Sequence, residues 1–128
     1  MYPADYRYTK EHEWIKKDGS NATVGITIYA QKELGDIVYV DLPAPGKQFK
    51  TGEPFGSIES VKAVSEIYAP VGMTITEINN QVVEAPESIN QDAHQKGWLV
   101  KVKLTNEAEV DDLLTADEYQ ELISHEQH

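Results

Sequence analysis

The chain has 128 residues, no cysteine, and 22 acidic against 11 basic residues, for a formal charge of −11. That length suits one domain, residues 1–128, with a core large enough to stand without disulfides, and the lack of thiols excludes cysteine nucleophiles and thiolate metal sites. The acidic balance disfavours nucleic acid and anionic membranes as partners, no apolar run nears the roughly 20 residues of a membrane span, and the first residues show neither signal-peptide nor transit-peptide character, so the expected location is the cytoplasm.

Residues 7–16 mix charge with Tyr8, Trp14 and Ile15 and read as a first strand, closed by the turn cluster Asp18-Gly19-Ser20-Asn21. A second strand, Thr23–Ile28, places Val24, Ile26 and Ile28 on one face. Thr27 can N-cap a short helix that ends near Leu34, with Gly35 just beyond it. Ile37–Leu42 is β-branched and aromatic, and Pro43-Ala44-Pro45-Gly46 stops it. Two extended runs, Glu53–Glu59 and Val64–Ala69, are separated by a few small or β-branched residues and predict a hairpin with Lys62 at its tip. No Asn-Gly or Asp-Gly pair is present, so a type I turn is expected rather than a primed one. Thr74–Ile78 is the next strand, Asn79-Asn80 a turn, and Pro86–Asn90 a single helical turn with proline at its start. In Trp98–Leu104, Trp98, Val100, Val102 and Leu104 alternate with Lys101 and Lys103, and both tryptophans are expected in the core. Thr115-Ala116-Asp117-Glu118 is a capping box, Leu114 and Tyr119 can staple it, and Tyr119, Leu122 and Ile123 share one face of a C-terminal helix over about 115–125. Many short strands with frequent turns predict a mainly β fold, a barrel or sandwich.

A lysine at a hairpin tip has three uses: a solvated charge, a Schiff-base nucleophile, or an attachment point for a cofactor that supplies the chemistry. Glu59 and Glu66 favour the protonated ammonium, which counts against the nucleophile. His12 lies between Glu11 and Glu13, but neighbours on a strand point to opposite faces, so adjacency does not make a catalytic cluster. His125 and His128 have i, i+3 spacing in a chain end that tends to fray, a poor basis for a metal site.

The motif Glu59-Ser60-Val61-Lys62-Ala63 resembles the lipoylation site of the glycine cleavage system H proteins. Three further stretches match that family in order: Tyr8-Thr9-Lys10-Glu11-His12-Glu13-Trp14; Gly25-Ile26-Thr27 followed by Ala30-Gln31 and Leu34-Gly35-Asp36-Ile37-Val38-Tyr39-Val40-Asp41-Leu42-Pro43; and Asn90 with Asp92, followed by Gly97-Trp98-Leu99. The resemblance spans roughly residues 6 to 123. It implies the barrel-sandwich hybrid of lipoyl and biotinyl carriers, with short helices and a C-terminal helix, and a chain that is a shuttle rather than an enzyme. Lipoate would be joined by an amide to Lys62. A pyridoxal-phosphate glycine decarboxylase (P protein) would load an aminomethyl group onto it, a tetrahydrofolate-dependent aminomethyltransferase (T protein) would unload it, and dihydrolipoyl dehydrogenase (L protein) would reoxidise the dithiol. Glu59 resembles the acidic position read by the lipoate-attaching enzyme. Glu13 and Glu66 are candidates to hold the aminomethyl ammonium by charge-assisted hydrogen bonds.

Three alternatives stand beside this reading. A lipoyl-relay or interaction module of the same fold would act outside glycine cleavage. A biotinyl carrier is disfavoured because Val61 and Ala63, not methionines, flank Lys62. A hydrolase or aldolase built on Lys62 would need activity in the unmodified chain. Two places depart from the family pattern: Gly72-Met73 replaces Ser-Gly, which would strain Met73 if the turn needs positive φ there, and Ala93-His94 replaces Pro-Tyr.

Overall fold

The computed structural model describes residues 2–126. Nine strands and five short helices follow one another as β1 (Arg7–Tyr8), β2 (Glu13–Asp18), β3 (Asn21–Ile26), α1 (Ile28–Leu34), β4 (Ile37–Asp41), β5 (Gln48–Phe49), β6 (Pro54–Ser60), β7 (Val64–Tyr68), β8 (Met73–Ile78), α2 (Asn80–Glu84), α3 (Glu87–Gln91), β9 (Val100–Leu104), α4 (Ala108–Asp111) and α5 (Ala116–Glu126). The strands form two antiparallel sheets, a six-stranded one in the order β1-β2-β3-β9-β8-β5 and a three-stranded one in the order β4-β6-β7. Their inner faces enclose the main core, built from Ile15, Val24, Val40, Ile58, Ile67, Met73, Ile75, Leu99 and Val102 among others. This is the mainly β architecture expected of a barrel-sandwich hybrid. Among the described residues no helix is long and apolar enough to cross a membrane.

Local chemistry explains most element boundaries. Thr27 caps α1 by accepting from the Ala30 N–H, and Gly35 ends that helix at φ 78° and ψ −148°, a conformation essentially restricted to glycine. At the start of α5 the capping box is complete: the Thr115 N–H donates to Glu118 and the Glu118 N–H donates to the Thr115 hydroxyl, at 2.9 and 3.2 Å. Val100, Val102 and Leu104 are buried while Lys101 and Lys103 face solvent. Asn79 caps α2 through the Gln81 N–H, so the expected turn at Asn79-Asn80 is the start of a helix.

Four expectations are corrected. The first strand is broken at residues 9–12: the His12 N–H donates to the Thr9 carbonyl, the Thr9 N–H to the Glu13 carbonyl, and His12 takes φ 71°. This is a three-residue hairpin loop ending in a left-handed residue, a position that histidine tolerates better than most. Ile28 opens α1 instead of ending β3, because the Thr27 cap turns the chain. Trp14 is buried, but Trp98 is only half-buried and carries the Lys101 ammonium 5.1 Å above its ring. Neither Gly72 nor Met73 has positive φ; Met73 is a fully buried residue of β8, so the Gly72-Met73 departure brings no backbone strain.

A second, aromatic cluster of Tyr6, Tyr8, Trp14, Ala116, Tyr119 and Ile123 joins α5 to the barrel. Tyr8 and Tyr119 stack with centroids 4.9 Å apart. The Tyr119 hydroxyl lies 2.8 Å from His12 Nδ1 and 2.7 Å from Thr27 Oγ1, and His12 Nε2 lies 3.0 Å from Glu126. His12 is thus committed to anchoring the C-terminal helix. Ala93 and His94 serve this cluster through their carbonyls, which accept from Trp14 Nε1–H and the Tyr6 hydroxyl. His94 Nε2 also accepts from the Ile28 N–H at 3.0 Å. His125 is exposed at the end of α5, and His128 lies outside the described residues.

Candidate functional site

The Lys62 hairpin is formed by β6 and β7, paired from Pro54↔Tyr68 to Glu59↔Val64. Its turn is closed by a side chain: Ser60, itself buried, accepts from the N–H groups of Lys62 and Ala63, and its N–H donates to the Ala63 carbonyl at 2.8 Å. Neither Val61 nor Lys62 has positive φ, so the turn is not a primed one. Every residue from Val61 to Glu66 is exposed, so this part of the hairpin projects beyond the barrel. Lys62 makes no ion pair among the described residues.

A second segment supports the tip. The Val61 N–H donates to the Asp36 carbonyl at 3.0 Å, joining the hairpin to the α1–β4 connection. Asn90 on α3 fixes that connection from behind, donating to the Gly35 carbonyl and accepting from the Ile37 N–H, both at 2.9 Å. A Cβ on Gly35 would stand 3.7 Å from Lys62 Cε, so the lysine stem lies against a backbone surface without a side chain.

The outward face of the three-stranded sheet carries the other candidates. Register places Tyr39, Glu59 and Val64 in one row across β4, β6 and β7, and Asp41, Ser57 and Glu66 in the next. Glu59 is therefore exposed on the hairpin, and Glu66 is exposed at the middle of β7, just before the buried Ile67. The Tyr68 hydroxyl hydrogen-bonds Glu66, whose charge, ahead of burial, raises the phenol's pKa.

Glu13 occupies a different environment. It is only 2% exposed. Thr9 Oγ1 donates to one carboxyl oxygen, and the Tyr68 N–H donates to the other at 3.1 Å. Burial outweighs these hydrogen bonds and pushes the carboxyl pKa up to about 7. The carboxyl lines a groove of about 280 Å³ with Thr9, Lys10, Tyr68, Pro70, Leu113 and Leu114. Tyr68 thus touches both acids, Glu66 through its hydroxyl and Glu13 through its amide. Sequence reasoning missed Tyr68, although its place at the end of the alternation Val64, Glu66, Tyr68 was visible.

The family model for the glycine cleavage H-protein matches residues 6–126. A glycine cleavage system H protein from Herpetosiphon aurantiacus is 56% identical over 124 residues, covering 97% of this chain and 95% of that protein. One from Carboxydothermus hydrogenoformans is 48% identical over 126 residues, covering 98% and 97%. The crystal structure of a glycine cleavage system H protein from Mycobacterium marinum, 40% identical, superposes with a TM-score of 0.87 over 95% of this chain and 98% of that one. The chain belongs to the glycine cleavage H-protein family, whose members are lipoyl carriers without catalytic activity of their own.

Proposed function

We propose that Lys62 is the lipoyl attachment residue, and that the chain serves glycine decarboxylase, the aminomethyltransferase and dihydrolipoyl dehydrogenase in turn. The observation that carries this reading is the Lys62 tip itself: an exposed lysine, free of carboxylate partners among the described residues, on a two-stranded projection braced by the Gly35–Asp36 backbone. These features fit a covalent arm, because they leave the ammonium open to an acylating enzyme while fixing the point from which the arm extends. When bound, lipoate supplies a disulfide that can accept a one-carbon amine and later be regenerated by oxidation.

The chain's own residues do the rest. Ser60 and Asp36 fix the attachment point. Glu59 presents a carboxylate three residues before Lys62 for the lipoate-attaching enzyme to read. Glu66 and Glu13 provide carboxylates at successive distances along β7, which covers about 13 Å from Val64 to Tyr68 at strand rise. A cationic amine delivered to the groove beside Glu13 lowers that carboxyl's pKa by direct attraction and turns a half-ionised acid into a charged partner. Leu113, Leu114 and Pro70 give the groove an apolar wall. Replacing Glu13 by Gln is expected to shorten the lifetime of the aminomethyl-loaded carrier, read as formaldehyde and ammonia release after loading. An unchanged lifetime would remove Glu13 from the site while leaving the Lys62 assignment intact.

A further inference from the structure

His12 is the left-handed residue that closes the loop at residues 9–12, and two helices hold its ring. From α5, the Tyr119 hydroxyl lies 2.8 Å from Nδ1 and the Glu126 carboxylate 3.0 Å from Nε2. From α1, the Tyr29 ring stands with its centroid 4.8 Å away. Thr27, which is 0% exposed, completes the network. Its N–H donates to the His12 carbonyl at 3.0 Å, and its hydroxyl accepts from the Ala30 N–H and lies 2.7 Å from the Tyr119 hydroxyl. Among the described residues only one direction gives every donor in this chain an acceptor. The Thr27 hydroxyl donates to Tyr119, Tyr119 donates to His12 Nδ1, and the imidazole proton sits on Nε2, where it meets Glu126. The reverse direction would leave the buried Thr27 proton without an acceptor among these groups.

The other side of the same loop faces the groove. The positive φ of His12 turns the next N–H, that of Glu13, back to the Thr9 hydroxyl at 3.1 Å, and that hydroxyl donates in turn to the Glu13 carboxyl. The Thr9 N–H closes the loop on the Glu13 carbonyl at 3.0 Å. One backbone dihedral therefore sets both Thr9 and the carboxyl that Thr9 orients. A three-residue loop of this kind needs a left-handed residue at its end, and a residue with a side chain stays there only where its surroundings impose it. The bonds from α5 to the His12 ring impose it. We propose that His12 is a positioning residue for the Glu13 carboxyl, and that α5 works through it, with Tyr119 as the tether, to keep that carboxyl aimed into the groove. The inference rests on the groove receiving the loaded arm and adds what holds its carboxyl in place. His12 does not itself line the groove, so it acts through the backbone. The charged groups that line the groove with Glu13 are Lys10 and Glu11 from the loop and Asp112 from beyond α4, and the Glu11 charge works in the same direction as burial on the Glu13 carboxyl.

The test compares Tyr119→Phe, His12→Asn and a control, Ile123→Ala, with the parent chain. Tyr119→Phe removes one hydroxyl and keeps the ring that stacks on Tyr8. His12→Asn keeps the tolerance of a left-handed conformation and loses the reach to both α5 groups. Ile123→Ala opens a cavity in the same aromatic cluster without removing a bond to His12, and should lower the melting temperature most. The first readout is the titration of Glu13 in the unmodified chain, followed by the NMR shift of its carboxyl carbon, which needs no arm. The Thr9 hydrogen bond favours the charged carboxylate, so its loss should move the midpoint upward from about 7 by about one unit. We expect that rise in Tyr119→Phe and His12→Asn and not in Ile123→Ala. The second readout is formaldehyde and ammonia release from the aminomethyl-loaded carrier. It should quicken about fivefold in the same two variants, with lipoyl loading at Lys62 unchanged. An unmoved Glu13 midpoint in both variants would overturn the proposal. So would an equal rise in Ile123→Ala, which would reduce His12 to a share in the stability of α5. A raised midpoint with release unchanged, both there and in Glu13→Gln, would uphold the positioning and overturn the arm reading of the groove instead.

Discussion

The two ends of β7 differ in almost every respect. At the Val64 end every side chain is solvated, the backbone is held by one serine and one carbonyl from a neighbouring loop, and the ionisable group is a free lysine. At the Tyr68 end the ionisable group is a carboxyl only 2% exposed, fixed by two donors and set beside the aromatic cluster that anchors α5. Substitutions at the tip should therefore change function with little effect on stability, because little is buried there. Substitutions at the foot should change stability and its pH dependence first. A carrier can use this division: the attachment point must be reachable by several enzymes, while a site that shields a labile cation must be dry enough for one carboxylate to matter.

The sharpest way to break this comparison is Lys62→Arg. Arginine keeps the charge and the solvated stem but has no amine to acylate, so lipoyl incorporation and glycine cleavage in a reconstituted system should fall to background while the melting temperature stays within about 1 °C. A large drop in melting temperature would show that the tip carries structural weight.

Glu13→Gln tests the other end. A folded-state pKa of about 7 against a reference of 4.5 means that the native chain holds the proton more tightly than the unfolded chain. Stability then falls as pH rises from about 4.5 to 7 and is level on either side, with a contribution on the order of 3 kcal/mol. The glutamine variant should lose this slope and be more stable than the parent at pH 7, as read by denaturant titration at pH 5 and pH 7.5. An equal slope in both chains would place the titration elsewhere.

Two smaller effects sharpen the contrast. Gly25 pairs with Trp14, next to Glu13, and a Cβ there would stand 2.7 Å from the indole. Gly25→Ala should cost about 1–3 kcal/mol by overpacking, seen as a lower denaturation midpoint with loading at Lys62 retained. Ser60→Ala removes the acceptor that closes the tip and should cost about 1 kcal/mol. Its clearer readout is amide hydrogen exchange, which should quicken at Lys62 and Ala63 and remain unchanged in β2.

Much of this was legible in the residues. The Lys62 hairpin, the Thr27 and Gly35 ends of α1, the alternation of Val100 to Leu104 and the Thr115–Glu118 box each rest on chemistry within a few positions, and local chemistry can be read locally. The missed features depend on distant partners. The break at residues 9–12 is written as Thr-Lys-Glu-His, with no glycine or proline to mark a turn, and His12 holds its left-handed conformation while bonded to Tyr119 and Glu126 more than 100 positions away. Glu13 was a candidate arm contact in the sequence, but its burial was not legible there, because Tyr68, whose N–H donates to its carboxyl, is 55 positions away. The bulge that exposes Val38 and Tyr39 lies in a run that reads as an ordinary buried strand, and only the pairing of Ile37 with Ser60 and Tyr39 with Glu59 shows it. Trp98 was assigned to the core from its alternation with Val100, yet it precedes β9 and is covered on one side by Lys101.

The central claim is that Lys62 bears the arm, and the most direct measurement is intact and peptide mass spectrometry of the chain produced with lipoate and an active lipoate-attaching enzyme present. The account predicts one lipoyl group per chain, localised to the peptide containing Lys62 and absent from Lys62→Arg. An unmodified Lys62, with the same machinery shown to lipoylate another substrate in the same cells, would contradict it.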